Sequence, residues 1–243
     1  AAFDNAIRVL LALGGSTNAI IHLIAIAGRL GIELPLERFD ELARTTPFIT
    51  DVKPSGTRQM ADFHAAGGIP AVMKQIAHLL NLECRTVSGA TIGDIVRAAR
   101  CHNPEVIRPA DRPLLEGSAI AVLRGNLAPR GAIIKASAAS PALARHEGRA
   151  VVFESYAEMI ENIDRDDLDV HPDDVLVLKN AGPKGVPGMP EWGMIPVPAK
   201  LWRQGVTDMV RISDSRMSGT SFGTVVLHVA PEAAAGGPLA VVR

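Results

Sequence analysis

This sequence has few cysteines, no large excess of charge of one sign and no long hydrophobic run. Its 243 residues include two cysteines, Cys84 and Cys101, which are too few for the disulfide framework of a small secreted protein. The formal net charge is −1, so no basic surface predicts binding to nucleic acid or to an anionic membrane. A cytoplasmic enzyme with neither of those partners is the default expectation.

Membrane-spanning and secretory segments are not predicted either. The most apolar run, residues 19–27, is short and is interrupted by His22, which is typical of a buried core helix. We expect no signal peptide. Hydrophobic residues make up 47% of the chain although only 4% is aromatic, and this is enough for one large domain or two modest domains with real cores.

Both ends of the sequence predict an internal fragment of a longer protein. The chain begins at Ala1, without Met, directly inside an amphipathic helical pattern. It ends at Arg243, in the middle of what we interpret as a strand.

Residues 1–115 are predicted to be mainly helical, the C-terminal part of an α/β domain. Predicted helices cover 2–13, a segment from Thr17 to Gly31, 36–43, 60–65, 69–80 and 91–99. The second of these is apolar on most sides, so we expect it to be buried, with His22 as a core residue. Thr91 and Asp94 have the spacing of a capping box.

Residues 116–243 are predicted to form a β-rich, barrel-like domain that is truncated at its end, so the fold class is α/β. Pro109, Pro113 and Gly117 mark the crossing between the two parts. Short β-branched runs then predict strands at 119–123, 132–134, 150–153, 175–178, 209–212 and 224–229, with helices at 156–163 and 199–204.

Two loops have the composition of an anion site. Gly and Pro dominate the loop that begins at Asn180 and leads to Glu191, so this segment cannot be a helix. The strand at 208–212 leads into a loop rich in Ser, Gly and Thr, whose amide groups could face an anion. From spacing alone, a tight turn at the end of the strand is the favoured interpretation of Ser218. The alternative for Glu191 is a carboxylate at a helix N-terminus, which is favourable there.

Other polar residues are interpreted as structural. The acidic run at 164–174 lacks the Gly and the terminal Glu of a calcium loop, so we expect a solvated turn. His64, His78 and His102 do not share a metal-site spacing with a cysteine or carboxylate. Lys53 and Ser55 remain candidates for a substrate-facing loop.

Six collinear segments, spread over nearly the whole chain, resemble the dihydroxyacid and sugar-acid dehydratase family. They are G-G-S-T-N-A-I-I-H-L at 14–23, K-P-S-G at 53–56, G-N-L-A-P-R-G-A-I-I-K at 125–135, G-P-K-G-V-P-G-M-P-E-W at 182–192, S-D-S-R-M-S-G-T at 213–220 and H-V-A-P-E-A-A-A-G-G-P at 228–238. A single Gly-rich loop would be weak support, whereas six segments in order are specific.

The resemblance implies a hydro-lyase that converts a 2,3-dihydroxy acid to a 2-keto-3-deoxy acid. It implies an iron–sulfur cluster, of the [2Fe-2S] type, and Mg²⁺ as cofactors. By the same resemblance Ser218 is the catalytic base, Glu191 a Mg²⁺ ligand, and Gly219 and Thr220 contacts of the substrate carboxylate. Asp214 would help to hold the loop, as would Ser213 and Arg216, and Lys184 could face the substrate.

The sequence departs from the family in having no cysteine in a cluster motif, so we expect no iron–sulfur ligand in this chain and no activity from it alone. The motifs are most similar to those of aldonate dehydratases, which predicts a sugar acid, a pentonate, as the substrate. The branched-chain dihydroxyacid enzyme is the alternative, with phosphogluconate dehydratase third and an inactive binding module of the same fold as the non-enzymatic hypothesis. The resemblance implies a homodimer or a homotetramer.

Overall fold

A computed structural model describes residues 1–218 and 222–243, which fold as two compact units. The first unit, Ala1–Ala121, is mainly helical, and the second, Val122–Arg243, contains most of the sheet. The α/β fold class is therefore confirmed. The assignment of 1–115 and 116–243 as domains remains a prediction.

The first unit is built from six α-helices around an apolar core. They are α1 (Ala2–Leu13), α2 (Asn18–Arg29), α3 (Leu36–Ala43), α4 (Met60–Ala65), α5 (Gly68–Gln75) and α6 (Ile92–Ala98). α1 buries Ile7, Leu10 and Leu11 at helical spacing. It ends at Gly14, whose φ of 63° is the left-handed conformation that glycine adopts without strain. The predicted capping box of α6 is present, with Thr91 Oγ1 accepting from the Asp94 amide at 3.1 Å.

α2 is less buried than its composition predicts. Ile20 and Ala27, one heptad apart, are buried, whereas Ile26 is 53% exposed and Leu30 is 66% exposed. His22 is also exposed, so its interpretation as a core residue is wrong. Apolar composition cannot report how many sides of a helix have neighbours, and α2 is buried along one side only.

The second unit carries a six-stranded mixed sheet in the order β1-β2-β6-β5-β4-β3. The strands are β1 (Ala121–Leu123), β2 (Gly131–Ile134), β3 (Ala150–Phe153), β4 (Val175–Leu178), β5 (Arg211–Ser213) and β6 (Val225–Ala230), with helices α7 (Tyr156–Asn162) and α8 (Ala199–Arg203). β3, β4, β5 and β6 pair in parallel, and β2 pairs with β6 antiparallel. The order leaves β1 and β3 as the edges, so the barrel-like domain expected from the sequence takes the form of a mixed sheet.

The two sides of this sheet have separate apolar clusters. Leu176, Leu178 and Met159 belong to one cluster, whereas Val177 and Val229 belong to the other. The alternation along β4 is the period of two that a strand buried on both sides requires.

The last residues of the chain do not form the strand that the sequence suggested. Pro238–Val241 is a turn of 3₁₀-helix, because Pro238 fixes its own φ and has no amide proton for a sheet ladder. The buried ammonium of Lys179 donates to the carbonyls of Ala240 and Val242, at 3.2 and 3.1 Å, and holds this segment against the end of β4.

Candidate functional site

The two polar loops leave the sheet side by side. One follows β4 and the other follows β5, and the last residues of these two strands, Leu178 and Ser213, are register partners in a parallel pair. Loops at the carboxyl ends of adjacent parallel strands meet at one edge of the sheet, where open α/β folds bind ligands. The sequence predicted two walls of one site, but it did not show that their strands are neighbours.

A backbone hydrogen bond connects the two loops. The amide of Gly193 donates to the carbonyl of Arg216 at 2.7 Å. A Cβ at position 193 would lie 2.7 Å from that oxygen and 2.6 Å from Leu227 Cδ2, so only glycine allows this approach. Glu191 lies two residues before Gly193, and Ser218 lies two residues after Arg216. The Cα of Glu191 is therefore within about 7 Å of the Cα of Gly193, and the Cα of Ser218 is within about 7 Å of that of Arg216. The hydrogen bond between Gly193 and Arg216 holds both segments at one site.

Glu191 is exposed beside an aromatic anchor. The ring of Trp192 stacks on that of Tyr156, the only tyrosine in the chain, with 4.3 Å between centroids and 9° between planes. Tyr156 is the first residue of α7, so the stack ties the Glu191 loop to a regular element. The alternative interpretation of Glu191 as a helix N-terminal carboxylate is wrong, because α8 begins only at Ala199.

Ser218 follows a segment that is fixed by buried contacts. Ser213 Oγ accepts from the Ser215 amide at 3.0 Å, and Ser215 Oγ donates to the carbonyl of Arg216 at 2.9 Å. Met217 is buried with Val225 and Leu227. Ser218 itself is half-buried, so its position is determined while part of its surface stays accessible. The predicted substrate contacts Gly219 and Thr220 lie outside the described residues.

Asp214 connects three parts of the second unit. One carboxylate oxygen accepts from the Ala181 amide at 2.9 Å and the other from the Ala233 amide at 2.8 Å. The side chain is buried. Burial raises the pKa of Asp214, and the hydrogen bonds from the two amides oppose that rise. Asp214 therefore fixes the Gly-rich loop relative to the Ser218 loop, which is the supporting role expected for it.

Glu232 occupies the amides of the Gly-rich turn. Its carboxylate accepts from the Lys184 amide at 2.9 Å and from the Gly185 amide at 3.1 Å. A Cβ at Gly182 would lie 2.5 Å from Glu232 Oε2. These amides thus bind an internal carboxylate, which lies 48 residues after Lys184 and 47 residues after Gly185. Sequence spacing could not identify this anion partner.

A bulge in β6 lies beside the Ser218 loop. The register between β2 and β6 shifts between Gly131 and Ile133, and His228 has a φ of 54°. The His228 amide donates to the carbonyl of Ser215 at 3.0 Å. Bulges are frequent next to functional sites, and this one brings the backbone of the half-buried His228 against the Ser218 loop.

Lys135 is a buried lysine that the sequence did not single out. Ile133 pairs with Leu227 and Ile134 with Val226, so Lys135, next along the chain, shares a side of the sheet with Leu227. The same side carries the apolar cluster that contains Met217. Burial lowers the pKa of Lys135 to about 8.

The described residues fit only part of the expected cofactor set. Glu191 supplies an oxygen ligand of the type that Mg²⁺ prefers, and Mg²⁺ is often held by one or two protein carboxylates and completed by substrate and water. Among residues 1–218 and 222–243, no group of three or more His, Cys, Asp or Glu side chains could hold a metal ion. Cys84 and Cys101 are half-buried residues of the first unit that form no disulfide bond.

The acidic run is engaged in ordinary contacts. Asp167 pairs with Arg165 at 2.7 Å, and Asp174 pairs with Arg149 at 2.8 Å. Asp164 accepts from the amide of Ala199 at the start of α8.

In the part of the chain that is described, no helix has the length and apolar character needed to cross a membrane.

Comparison with known proteins places the whole chain in one family. The N-terminal profile of the dihydroxy-acid/6-phosphogluconate dehydratases matches residues 1–95, and the C-terminal profile matches residues 105–243. An L-arabonate dehydratase from Azospirillum brasilense is 57% identical over 100% of this chain and 42% of its own length. A 6-deoxy-6-sulfo-D-gluconate dehydratase from Pseudomonas putida is 50% identical over 98% of this chain and 42% of its own length.

A dihydroxy-acid dehydratase from Methanococcoides burtonii is 44% identical over 99% of this chain and 44% of its own length. The chain thus spans less than half of the relatives it matches. The similarity extends through both units and includes both loops of the site. The chain belongs to the dihydroxy-acid/6-phosphogluconate dehydratase family.

Proposed function

We propose that the complete protein is a hydro-lyase that dehydrates a sugar acid, a pentonate, to a 2-keto-3-deoxy acid. The observation that carries this proposal is the Gly193–Arg216 hydrogen bond, which joins the segments of Glu191 and Ser218 at the carboxyl ends of β4 and β5. The choice of a sugar acid is supported by the higher identity to the L-arabonate dehydratase, 57%, than to the dihydroxy-acid dehydratase, 44%.

The reaction removes the proton from C2 and hydroxide from C3, and the resulting enol becomes the 2-keto acid. When bound, the iron–sulfur cluster and Mg²⁺ would supply Lewis acidity at the C3 oxygen and positive charge at the substrate carboxylate. Glu191 would be the ligand that this chain offers to Mg²⁺. Ser218 Oγ would take the C2 proton as the general base, which requires its pKa to be lowered by a neighbouring positive charge. Gly219 and Thr220 remain the predicted contacts of the carboxylate.

The second candidate is the dihydroxyacid dehydratase of branched-chain amino-acid synthesis. It is supported by the 44% identity to that enzyme over nearly the whole chain, and it uses the same base and the same metal ligand. A catalytically inactive binding module of this fold is the non-enzymatic alternative.

The test is 2-keto acid formation by the complete protein, purified without oxygen, from a panel of aldonates and from a branched dihydroxy acid. We expect turnover of a pentonate, and a loss of kcat of about 10²-fold to 10⁴-fold in Ser218→Ala, because a positioned base contributes that much. Ser88→Ala is the control, since Ser88 is an exposed serine of the first unit and should leave kcat unchanged.

The outcomes separate the alternatives. If the branched dihydroxy acid is dehydrated and no aldonate is, the substrate is the branched acid and the sugar-acid proposal is wrong. Turnover that is unchanged in Ser218→Ala would keep the family chemistry and reject Ser218 as the base. An intact cofactor set with no turnover of any acid would favour the binding module.

A further inference from the structure

Arg211 is a buried arginine whose donors are all used inside the protein. Its side chain is 2% exposed, and a guanidinium has five N–H donors in a fixed plane. The acceptors are Met209 O at 3.2 Å from Nε, Ile195 O at 3.0 Å and Met194 Sδ at 3.9 Å from Nη1, and Asp208 Oδ1 at 2.6 Å and Phe222 O at 3.4 Å from Nη2. Because five donors have five acceptors, this arginine is built to hold protein groups and not a ligand.

The acceptors belong to both loops of the candidate site. Ile195 lies four residues after Glu191, and Phe222 lies four residues after Ser218. One rigid guanidinium therefore bonds to the backbone that continues from each of the two candidate site residues. The contact adds to the Gly193–Arg216 bond and to the Asp214–Ala181 bond, so several separate hydrogen-bonded connections set the spacing of the loops.

Asp208 extends this network to the end of the Ser218 loop. Its carboxylate accepts from the Thr224 amide at 2.9 Å and from Thr224 Oγ1 at 2.7 Å, and that hydroxyl accepts from the Ser140 amide at 3.0 Å. Gly223 has a φ of 101°, and a Cβ there would lie 1.9 Å from Arg211 Nη2. Residues 222–224 are therefore fitted closely around the ion pair.

Stability alone does not explain this arrangement. Removing a guanidinium from water is costly, and well-packed apolar residues often replace a buried ion pair without loss of stability. Burial also lowers the pKa of Arg211, opposed by Asp208. What apolar residues cannot supply is a planar set of donors that fixes two carbonyl groups in space.

We propose that Arg211, held by Asp208, is a positioning residue that sets the distance between the Glu191 segment and the Ser218 segment. The catalytic part of this inference rests on the proposed function. A shift of about 1 Å between reacting groups can reduce the rate about 10²-fold, so the contribution should appear in kcat.

The first experiment compares Arg211→Lys with Arg149→Lys in the complete protein. Arg149 is the control, because it also pairs with an aspartate, Asp174, but it is 48% exposed and lies at the opposite end of the parallel strands, before β3. We expect Arg211→Lys to lower kcat about 10²-fold with a smaller change in KM, and Arg149→Lys to leave both parameters within about twofold. Melting temperatures above the assay temperature ensure that only folded protein is compared.

A second experiment does not depend on turnover. Hydrogen exchange of peptides that cover residues 191–197 and 214–218 should become about tenfold faster or more in Arg211→Lys, whereas peptides from β3 should be unchanged. If Arg211→Lys fails to fold, Thr224→Val leaves the arginine in place and removes the hydroxyl that donates to Asp208 and accepts from the Ser140 amide. It should produce the same pattern with about a tenfold loss of kcat.

The results distinguish the two proposals. A wild-type protein that dehydrates no acid, together with faster exchange in the variant, would reject the function and retain the positioning role. Normal turnover and normal exchange in folded Arg211→Lys would overturn the positioning role and leave the function intact.

Discussion

Both units bury neutral polar side chains, but among the described residues only the second unit also buries ionisable ones. In the first unit, all of whose residues are described, the buried polar side chains are neutral: Asn5, Thr17, Asn18, Thr46 and Thr50. The second unit buries ionisable side chains, namely Lys135, Asp174, Lys179, Arg211 and Asp214. Buried charge is therefore concentrated in the unit that carries the candidate site.

The difference separates stability from site construction. The first unit follows the expectation for a stable fold, in which apolar side chains fill the interior and neutral polar groups form hydrogen bonds. In the second unit, removing several charged side chains from water is unfavourable. Two of these side chains, Asp214 and Arg211, hydrogen-bond to the loops of Glu191 and Ser218 and fix them. Residues that do not favour stability are expected at positions where function determines which side chain is present.

The largest loss of stability that would test this difference between the units should come from a cavity in the apolar core of the first unit. Ile76 is fully buried, so Ile76→Ala should lower the free energy of unfolding of this unit by about 2–5 kcal/mol. The loss should be the same at about pH 5 and about pH 8, because no ionisable group is removed. Native-state hydrogen exchange of first-unit amides measures it.

The control for the cavity lies in α5, the helix that Ile76 directly follows. Ile69 in α5 is 40% exposed, so Ile69→Ala should cost clearly less than Ile76→Ala. Equal losses, or a loss at position 76 that changes with pH, would contradict the description of this unit as an apolar core.

A carboxylate of the second unit should give a pH-dependent effect of smaller size. Asp174 is 7% exposed and accepts hydrogen bonds from Arg149 and from the His171 amide. The hydrogen bond from the Arg149 side chain is the main reason that the pKa of Asp174 is lowered. Asp174→Asn should therefore cost about 1–3 kcal/mol near neutral pH, because charged hydrogen bonds are lost.

The sign of the pH dependence follows from the lowered pKa. The ionised form of Asp174 is favoured in the folded state, so its stabilisation is fully present above the unfolded value of about 3.9. It is lost as the pH falls through the lower folded pKa. The unfolding free energies of the wild type and of Asp174→Asn in urea should thus begin to approach each other below about pH 4 and meet only below the folded pKa of Asp174. A difference that persisted in acid would show that the contribution is packing and not charge.

The sequence predicted local structure well and tertiary relations poorly. The helix Leu36–Ala43 follows from its position directly after Pro35, and the strand Val175–Leu178 follows from a short β-branched run, both of which are local signals. The parallel pairing of β4 with β5 and the contacts of Arg211 join residues that are distant in sequence, and periodicity holds no information about them. Glu191 and Ser218 were identified by resemblance, whereas the Gly193–Arg216 bond between their segments came only from the structure.

The smallest expected effect concerns α2, where composition and environment disagree. Ile20 is 1% exposed and Ile26 is 53% exposed on the same helix. In the 243-residue chain, Ile26→Ala should change the free energy of unfolding by less than about 0.5 kcal/mol, as surface substitutions usually do, because alanine's higher helix propensity offsets part of the lost packing. Ile20→Ala should cost about 2–5 kcal/mol. Chemical denaturation of the two variants measures both, and since the side chain and the helix are the same, only the environment differs. A loss at Ile26 as large as that at Ile20 would mean that α2 is buried on both sides, as its apolar composition predicts.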